Sequence, residues 1–335
     1  MGARFPFTPF PDGVYAVAFS HDLSPEKVIP VTFMGEELAL FRTKAGDIGA
    51  IGAYCPHLGA NLTCDGMVKN DALQCPFHGL RFKTDGCSNA KSSRRDSGGY
   101  KTKSWNAFEK YGLIFLAHNP AGSPLNIDLP EWDMSAWSKP ILYSFKVKSH
   151  PQEILENSVD QLHFFHVHKY RRAKSTSQVR INGAELIVDY ELQRSTGLFG
   201  FLEREPLAIK LNIHTFGLGA SIASIFIKKY NLTARQVVFP TPIDGESINI
   251  RTLTSVKLIE SAKPLPEFAV PRVVRKVAAN ALCQLSARGF LKDFLPDITV
   301  WENKRYVAEP KRLPSDGDFE LYRQWASQFY RGEAA

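Results

Sequence analysis

Two short motifs of similar composition lie close together in the first quarter of the chain. They are Cys55-x-His57, with a proline between its two ligand types, and Cys75-x-x-His78, with a proline directly after the cysteine. Seventeen residues separate them, and a glycine follows each motif within two positions. Glycine allows backbone angles and close approaches that other residues do not. The sequence therefore predicts two similar loops, joined by a hairpin, that clamp one inorganic centre.

Mixed Cys/His pairs are the ligand set of a Rieske [2Fe–2S] cluster, in which two thiolates hold one iron and two imidazoles hold the other. We expect Cys55 and Cys75 to bind the first iron, and His57 and His78 to bind the second. A Cys2His2 zinc site uses the same residue types. Zinc fingers more often place the two cysteines in one pair and the two histidines in the other. The mixed pairs therefore favour the iron–sulfur cluster.

The remaining cysteines, Cys64, Cys87 and Cys283, are not needed as ligands and are expected to be free thiols. Respiratory Rieske proteins carry an extra cysteine three residues after the first histidine, where this chain has Ala60, so no such disulfide is expected. Five cysteines in 335 residues do not suggest a disulfide scaffold, and thiolate ligands suit a reducing compartment. No apolar run approaches transmembrane length and the N-terminus lacks a signal-peptide pattern. These features predict a cytoplasmic protein.

The chain is too long for a lone iron–sulfur carrier and suits two domains. Four strand-like runs in 14–53 and a strand-turn-strand pattern in 101–118 predict a small all-β unit around the cluster loops. A stretch rich in proline and tryptophan at 120–140 reads as a connector. We therefore expect a Rieske domain at 1–140 and a second, catalytic domain at 141–335.

The second domain is predicted to be an α+β unit of the helix-grip type, with an antiparallel sheet flanked by helices on one side. Its predicted strands lie at 178–194, 207–215, 220–229, 232–239 and 247–259. A proline-punctuated loop at 264–271 precedes a helix at 272–293, and a short helix is expected at 318–331. Apolar stretches at 197–202, 213–227 and 237–243 are expected to form a cavity between the sheet and the 272–293 helix.

Residues 153–168 begin as a helix and are rich in candidates for a second metal site. Non-haem iron oxygenases bind Fe(II) through two histidines and one carboxylate. Helical spacing alone favours His163 with His166. His163 and His168 lie roughly 140° apart around an ideal helix, so they converge only if the helix ends or bulges between them. Spacing leaves both pairs open.

The pattern Asn157-x-x-Asp160-x-x-His163-x-x-x-x-His168 resembles the mononuclear-iron motif of Rieske non-haem iron oxygenases. Together with the two Cys/His motifs, it identifies the chain as a member of that family. The segment "HPQEILENSVDQLHFFHVH" is most similar in sequence to 3-ketosteroid 9α-hydroxylase oxygenase components and cholesterol 7-desaturases. The resemblance extends to the segment "PDITVWENKRY" near the C-terminus. Residues 175–290 contain little sequence that resembles the family.

The resemblance implies a role for each residue of the motif. His163, His168 and Asp297 would bind the mononuclear iron, and His166 would be structural or lie in the second shell. Asp160 would bridge His163 and the cluster histidine of a neighbouring subunit in a homotrimer, and Asn157 would sit beside the iron. The alternative carboxylates are Asp293 as the runner-up, then Glu302 and Glu309.

The resemblance also implies an oxygenase component that uses O2 to hydroxylate a C–H bond of a bulky apolar substrate, steroid-like or polycyclic. Electrons would come from a separate ferredoxin or flavin reductase, and thus only indirectly from NAD(P)H. The chain itself has no convincing nucleotide fingerprint, because "FGLGAS" at 216–221 lacks the third glycine. The net charge of +7 permits an acidic partner, and no nucleic-acid motif accompanies the basic clusters. Two alternatives stay open: an N- or O-demethylase of a smaller substrate, and a non-catalytic electron carrier.

Overall fold

The computed structural model describes residues 4–91, 99–120, 122, 125–194, 206–258, 272–313 and 315–330. The loop expected at 264–271 and the apolar stretch 197–202 lie outside these residues. Everything stated below about the structure concerns this described part of the chain.

Strands make up almost all of the regular structure in the first part of the chain. They are β1 (Gly13–Phe19), β2 (Val28–Phe33), β3 (Glu36–Arg42), β4 (Ile48–Gly52), β5 (Met67–Lys69), β6 (Ala72–Gln74), β7 (Arg81–Phe82), β8 (Cys87–Lys91), β9 (Gly99–Lys101), β10 (Ser104–Trp105), β11 (Ala107–Lys110) and β12 (Leu113–His118). They form three antiparallel sheets with the orders β1-β12-β11, β10-β4-β3-β2 and β5-β6-β7-β8-β9. The predicted turn at Tyr111-Gly112 joins β11 to β12, with both residues at positive φ.

The second part of the chain is built on one large antiparallel sheet. Its strands are β13 (Ile141–Val147), β14 (Arg172–Ser175), β15 (Arg180–Asn182), β16 (Glu185–Arg194), β17 (Leu207–Phe216), β18 (Ala220–Ile227), β19 (Leu232–Pro242) and β20 (Ile248–Val256). The order is β13-β20-β19-β18-β17-β16-β14, and β15 pairs with β16 beside β14.

Alternating side chains of this sheet point into one core. In β16 the residues Leu186, Val188, Tyr190 and Leu192 are buried, while the residues between them are more exposed. Such a period of two is expected for a strand that covers a core with one face. This buried face packs against helices and encloses the candidate catalytic cavity.

Among the described residues, four α-helices accompany the sheet, namely α1 (Pro151–Glu156), α2 (Leu162–His166), α3 (Arg272–Asn303) and α4 (Phe319–Ser327). Single turns of 3₁₀-helix occur at Ser20–Asp22, Met134–Ala136 and Lys228–Tyr230. None of the helices that the structure describes is both long and apolar enough to cross a membrane.

Helix α3 is longer than the sequence pattern predicts. It was expected to end at 293, but it continues for ten more residues and includes Pro296. Proline removes one backbone hydrogen bond from a helix interior. Burial of Phe294, Asp297 and Trp301 against the rest of the protein holds the helix together beyond this point. The predicted carboxylate Asp297 therefore lies on a helix rather than after one.

The two parts of the chain share a core. Val14 and Phe115 of the first part and Phe239 and Leu253 of the second belong to one cluster of buried apolar residues. The Arg251 guanidinium also donates a hydrogen bond to the carbonyl of Ala16 at 2.7 Å. The large sheet is thus covered by α3 on one face and by the β1-β12-β11 sheet on part of the other.

Candidate metal centres and substrate cavity

The two cysteine-containing loops close in the same way. The amide of Gly59 donates to the carbonyl of Cys55 at 2.9 Å, and the amide of Gly79 donates to the carbonyl of Cys75 at 3.1 Å. Both glycines have a φ of 74°, in the left-handed region that glycine adopts without strain. Each loop therefore turns back on its own cysteine, and the turn carries the histidine.

The four predicted cluster ligands lie on these loops as two neighbouring pairs, cysteine beside cysteine and histidine beside histidine. Cys55 and Cys75 are buried, and the rings of His57 and His78 have their centroids 4.7 Å apart. Burial raises the pKa of the Cys55 thiol, and the adjacent Cys75 thiol raises it further. A nearby cation, such as a bound iron ion, would favour the thiolate form of Cys55. This donor set suits an iron–sulfur cluster.

All five cysteines carry free thiols in the structure. Cys64 is exposed, Cys87 is partly exposed, and Cys283 is buried in α3. The Cys283 thiol donates to the carbonyl of Thr254 at 3.3 Å. These three residues lie apart from the two ligand loops in sequence, and Cys283 has a packing role.

The end of helix α2 decides which histidine meets His163. The helix ends at His166, and Lys169 has a positive φ of 58°. The amides of Val167 and His168 both donate to the carbonyl of His163, at 2.8 and 3.3 Å, and the ring centroid of His168 lies 4.8 Å from that of His163. His166 is exposed to solvent, and its carbonyl accepts a hydrogen bond from the Lys169 amine. The helix thus ends between the two candidate ligands, as their convergence requires.

Asp297 approaches the same place from helix α3. Its Oδ2 lies 3.5 Å from Nε2 of His168. Burial, helped by the Asp293 and Asp160 carboxyls, raises the pKa of Asp297 to about 8. Burial also lowers the pKa of His168 to about 3 and that of His163 to about 4. Imidazole and carboxyl are therefore both neutral at pH 7, and their proximity is not an ion pair.

The predicted iron ligands are close in pairs, His163 to His168 and His168 to Asp297, but they do not surround one common point. Within the described ranges, no three His, Cys, Asp or Glu side chains stand arranged around a single point as metal ligands. His163 Nδ1 instead forms a short contact with the carbonyl of Asp160. The assignment of His163, His168 and Asp297 as the iron ligands therefore stays a prediction.

The alternative carboxylates are engaged elsewhere or exposed. Asp293 accepts two hydrogen bonds from the Arg194 guanidinium, at 2.8 and 3.1 Å, and one from the Tyr170 hydroxyl at 3.3 Å. Glu302 and Glu309 are exposed. Asp293, which lines the cavity, is thus held in a partly buried ion pair with Arg194, and Asp297 is the carboxyl next to the imidazoles.

Asp160 holds His163 through the backbone. One carboxylate oxygen, Oδ1, accepts the amide hydrogens of Leu162 at 2.9 Å and His163 at 3.2 Å. The other oxygen lies 4.0 Å from Nδ1 of His163. Because these amides open helix α2, the carboxylate fixes both the start of the helix and the placement of its histidine.

Asn157 lines the cavity beside the predicted iron site. Among the described residues it forms no hydrogen bond with His163 or His168. Its amide oxygen accepts a long hydrogen bond, 3.5 Å, from the indole nitrogen of Trp301. This contact links the segment after α1 to α3, one turn beyond Asp297. Asn157 therefore tethers two elements that carry the predicted ligands.

A mostly apolar cavity extends from this group of residues, between the sheet and helix α3. Its volume is about 180 Å3, room for roughly six waters at about 30 Å3 each. Its lining includes Leu192, Ile209, Leu211, Ile213, Ala223, Ile225 and Val238 from the sheet, Phe290, Phe294 and Trp301 from α3, and the three predicted iron ligands. The predicted position of the cavity is confirmed, and residues of 213–227 and 237–243 contribute to it.

Several polar residues of this cavity were missed by sequence reasoning. They are Tyr170, which binds Asp293, and Gln236, which lines the sheet side. Arg194, the partner of Asp293 behind the cavity wall, was missed as well. Tyr170 follows His168 by two positions, a proximity that was the only available signal. Gln236 lies in a strand with no pattern to distinguish it, because only the pairing of strands brings it to the cavity.

Family models match nearly the whole described chain. The Rieske [2Fe-2S] domain matches residues 13–101, and the 3-ketosteroid 9α-hydroxylase C-terminal domain matches residues 117–330. This second match covers more than half of the chain. The chain is a member of the 3-ketosteroid 9α-hydroxylase family of Rieske oxygenases. The predicted family, the Rieske fold and the oxidoreductase class are therefore confirmed.

Individual relatives agree with this assignment. Cholesterol 7-desaturase nvd 1 of Ciona intestinalis is 29% identical over 357 residues, which cover 96% of this chain and 69% of the relative. The oxygenase component of 3-ketosteroid-9-alpha-monooxygenase from Rhodococcus rhodochrous is 27% identical over 342 residues, covering 96% of this chain and 84% of the relative. An oxygenase component works with a separate reductase or ferredoxin, as predicted.

Solved structures show the same fold at lower identity. Dicamba monooxygenase bound to dicamba has a TM-score of 0.65 and 19% identity, with 96% of this chain and 97% of that chain covered. NdmA of Pseudomonas putida CBB5 with caffeine has a TM-score of 0.65 and 17% identity, with 94% and 89% covered. These similarities establish the architecture and leave the substrate open.

The residues present fit both metal groups that Rieske oxygenases use, a [2Fe–2S] cluster and a mononuclear iron. Nδ1 of His57 is buried and has no hydrogen-bond partner among the described residues. A buried imidazole nitrogen without a partner is unfavourable, and binding to a metal would satisfy it. At the second site, the lowered pKa values of His163 and His168 favour the neutral imidazole, which is the form that binds metals.

Proposed function

We propose that this family member hydroxylates a C–H bond of a bulky apolar molecule, steroid-like or polycyclic, as the oxygenase component of a multicomponent system. The observation that carries this proposal is the apolar cavity that ends at His163, His168 and Asp297. The names of the relatives, which refer to 3-ketosteroids and cholesterol, support a substrate of this class. An apolar lining favours it over a small polar methylated substrate, so the demethylase remains the second candidate.

The residues have distinct parts in this reaction. His163, His168 and Asp297 would hold the mononuclear iron, which supplies the redox chemistry of O2 activation when bound. The sheet and α3 side chains orient the substrate and exclude water from the reacting carbon. The Arg194–Asp293 ion pair fixes the wall next to Asp297, so that a single buried carboxyl, rather than two, faces the imidazoles.

Electron supply is proposed to involve a second copy of the chain. Around the cluster loops Tyr54, Leu58, Met67 and Phe77 are 51–66% exposed. Such an apolar collar on a polar surface is typical of a protein interface. In a closed head-to-tail homotrimer, this collar would bring His78 towards Asp160 of the next subunit. Asp160, with one oxygen facing His163, would accept a hydrogen bond from each side.

A cytoplasmic location is part of the same proposal, since its thiolate ligands suit a reducing compartment. The electron-carrier alternative needs the Rieske half alone, whereas the described chain adds a cavity with its own candidate metal ligands. That extra site argues for catalysis.

Two measurements test the function. Anaerobically purified protein should hold about three iron ions and about two acid-labile sulfides per chain, whereas a carrier would hold about two of each. With an added ferredoxin and reductase, a panel of sterols, aromatics and methylated amines should give a hydroxylated polycycle. Formaldehyde from the methylated amines, without hydroxylation of any polycycle, would favour the demethylase instead.

A further inference from the structure

Helix α3 presents a row of apolar side chains to solvent at its N-terminal end. Val273 is 73% exposed, Val277 63%, Val274 53% and Leu285 40%. Val273 and Val277 are one turn apart, and Leu285 lies about two turns further, roughly 80° round the helix from Val277. We call these four residues the outer ridge.

The opposite face of the same helix is already buried. Ala279, Cys283 and Ala287 have no exposed surface, and Cys283 packs against the sheet. A helix that is apolar on two opposite faces is normally covered on both. Within the described part of the chain, nothing buries the outer ridge.

The charged residues of the helix around the outer ridge are all basic. Between Arg272 and Lys292 the sequence contains five basic residues and no Asp or Glu. Asp133 faces Arg272 at the start of the helix and offsets one of these charges. Lys276, Arg288 and Lys292 are exposed beside the ridge or further along the helix. The ridge therefore favours an anionic surface that also accepts apolar side chains.

We propose that the outer ridge docks on a lipid bilayer that contains anionic headgroups. A helix with exposed apolar residues and flanking Lys or Arg lies in the membrane interface, held by apolar burial and by attraction to anionic lipid. A second copy of this chain is the less suitable occupant, because a ridge-to-ridge contact would bring two sets of cations together. This inference does not depend on the proposed reaction.

The outer ridge lies close to the cavity, so docking of the ridge on a bilayer would also bring the cavity close to it. Phe290 and Phe294, on the same helix as the ridge, line the cavity. Leu285 of the ridge and Phe290 are only five residues, about 8 Å of helix, apart. Docking would therefore hold the cavity close to the bilayer, where water-insoluble molecules are concentrated.

Flotation of the full-length protein with lipid vesicles tests the proposal. We expect the protein to float with vesicles of phosphatidylcholine and phosphatidylglycerol, to float much less with phosphatidylcholine alone, and to be partly released by high salt. The double variant Val273→Ser/Val277→Ser should lower partitioning onto the anionic vesicles about tenfold. Lys276→Gln/Arg288→Gln should also lower it and should reduce the salt dependence.

Matched changes elsewhere serve as controls. Val307 is 54% exposed outside α3, and Val307→Ser should leave flotation unchanged. Lys44→Gln/Lys210→Gln removes the same charge from exposed positions of other elements and should have a much smaller effect than the helix pair. Circular dichroism of each variant verifies folding.

Three outcomes would overturn the proposal. They are the absence of flotation with anionic vesicles, equal flotation of the ridge double variant and the Val307 control, and a smaller oligomer in the ridge variant by light scattering. The last result would assign the ridge to a contact between copies of the chain.

Discussion

His166 and His168 are two positions apart, and the backbone gives them opposite environments. His168 is brought against His163, while His166 stays exposed at the end of α2. We expect His168→Ala to lose about one of three irons per chain while the cluster absorbance is kept, because one of its few ligands is gone. His166→Ala, the matched control, should keep all of its iron.

Iron and labile-sulfide analysis of the two purified variants checks this assignment. Loss of iron from His166→Ala together with full retention in His168→Ala would reverse it. Folding is monitored by the cluster absorbance itself, which reports on the other half of the chain.

Gln236 is a polar side chain on an apolar cavity wall. Its amide has no hydrogen-bond partner among the described residues, and it lies opposite Thr254 on β20. Thr254 contacts Cys283 of α3, and the fourteen residues from there to Asp297 span about 21 Å of helix. Gln236 therefore lies far from the imidazole end, where it is placed to bind an oxygen at the remote end of a substrate.

Replacing this amide should change selectivity rather than chemistry. Gln236→Leu should lower kcat/KM roughly tenfold for a polycycle with a remote carbonyl or hydroxyl, mainly through KM, because that hydrogen bond is lost. The deoxygenated analogue should react as well as before or better. Equal loss for both substrates would mean that Gln236 only shapes the wall.

At the scale of elements, the C-terminal end of α3 is held by a residue from the other end of the chain. The Arg4 guanidinium donates to the carbonyl of Lys304 at 2.7 Å, to that of Lys148 at 2.8 Å and to that of Trp301. These carbonyls include orphan acceptors of the helix end. Arg4 thereby anchors the turn of α3 that follows Asp297.

Removing that anchor should loosen the helix end. We expect Arg4→Ala to lower the free energy of unfolding by about 2 kcal/mol, measured by urea denaturation, and to weaken retention of the mononuclear iron. Arg305→Ala, an exposed arginine of the same region, is the control. An unchanged midpoint for Arg4→Ala would show that water replaces the lost donors.

Helix α1 depends on a neutral histidine at its start. His150 Nδ1 accepts the amide hydrogen of Gln152 at 3.2 Å, and burial lowers the pKa of His150 to about 3. The unfolded chain has a histidine pKa near 6.5. The contribution of His150 to stability is thus complete above pH 6.5 and is lost as the pH falls, since the unfolded state then takes up the proton first.

This sets an expected pH dependence. Between pH 7.5 and pH 5 the group should remove about 2 kcal/mol of stability. His150→Asn keeps an N-cap acceptor without a titrating ring, so its unfolding free energy should fall less over the same interval. Parallel curves for the two proteins in urea titrations would contradict this role.

Local patterns predicted well wherever a few neighbouring residues determine the structure. The Cys/His loops with their glycines and the alternating strands of the large sheet are examples. The end of α3 was predicted wrongly, because Pro296 is a local stop signal and the burial of Phe294 and Trp301 is not local. Gln236 could not be predicted for the same reason: only strand register and sheet order bring it to the cavity.

At the scale of the whole molecule, the collar around the cluster loops should control assembly. Leu58 and Phe77 are 66% and 62% exposed, so in a lone chain their replacement has little effect on stability. Leu58→Ser/Phe77→Ser should weaken the proposed homotrimer and make turnover depend on protein concentration, because electrons would have to cross between subunits. Analytical ultracentrifugation and activity over a dilution series measure both effects.

The control is Val307→Ser, which changes an equally exposed apolar residue away from the collar. A wild-type protein that stays a fully active monomer at every concentration would refute the inter-subunit path.

The shared core between the two parts of the chain has a consequence for engineering. Val14 and Phe115 pack directly on Phe239 and Leu253, and the Arg251 side chain binds the backbone of β1. A Rieske part transplanted from a distant homologue would bring side chains of the wrong shape to this shared core, even if every iron–sulfur ligand were intact. Successful chimeras will therefore have to exchange the residues of this shared core in both parts of the chain together.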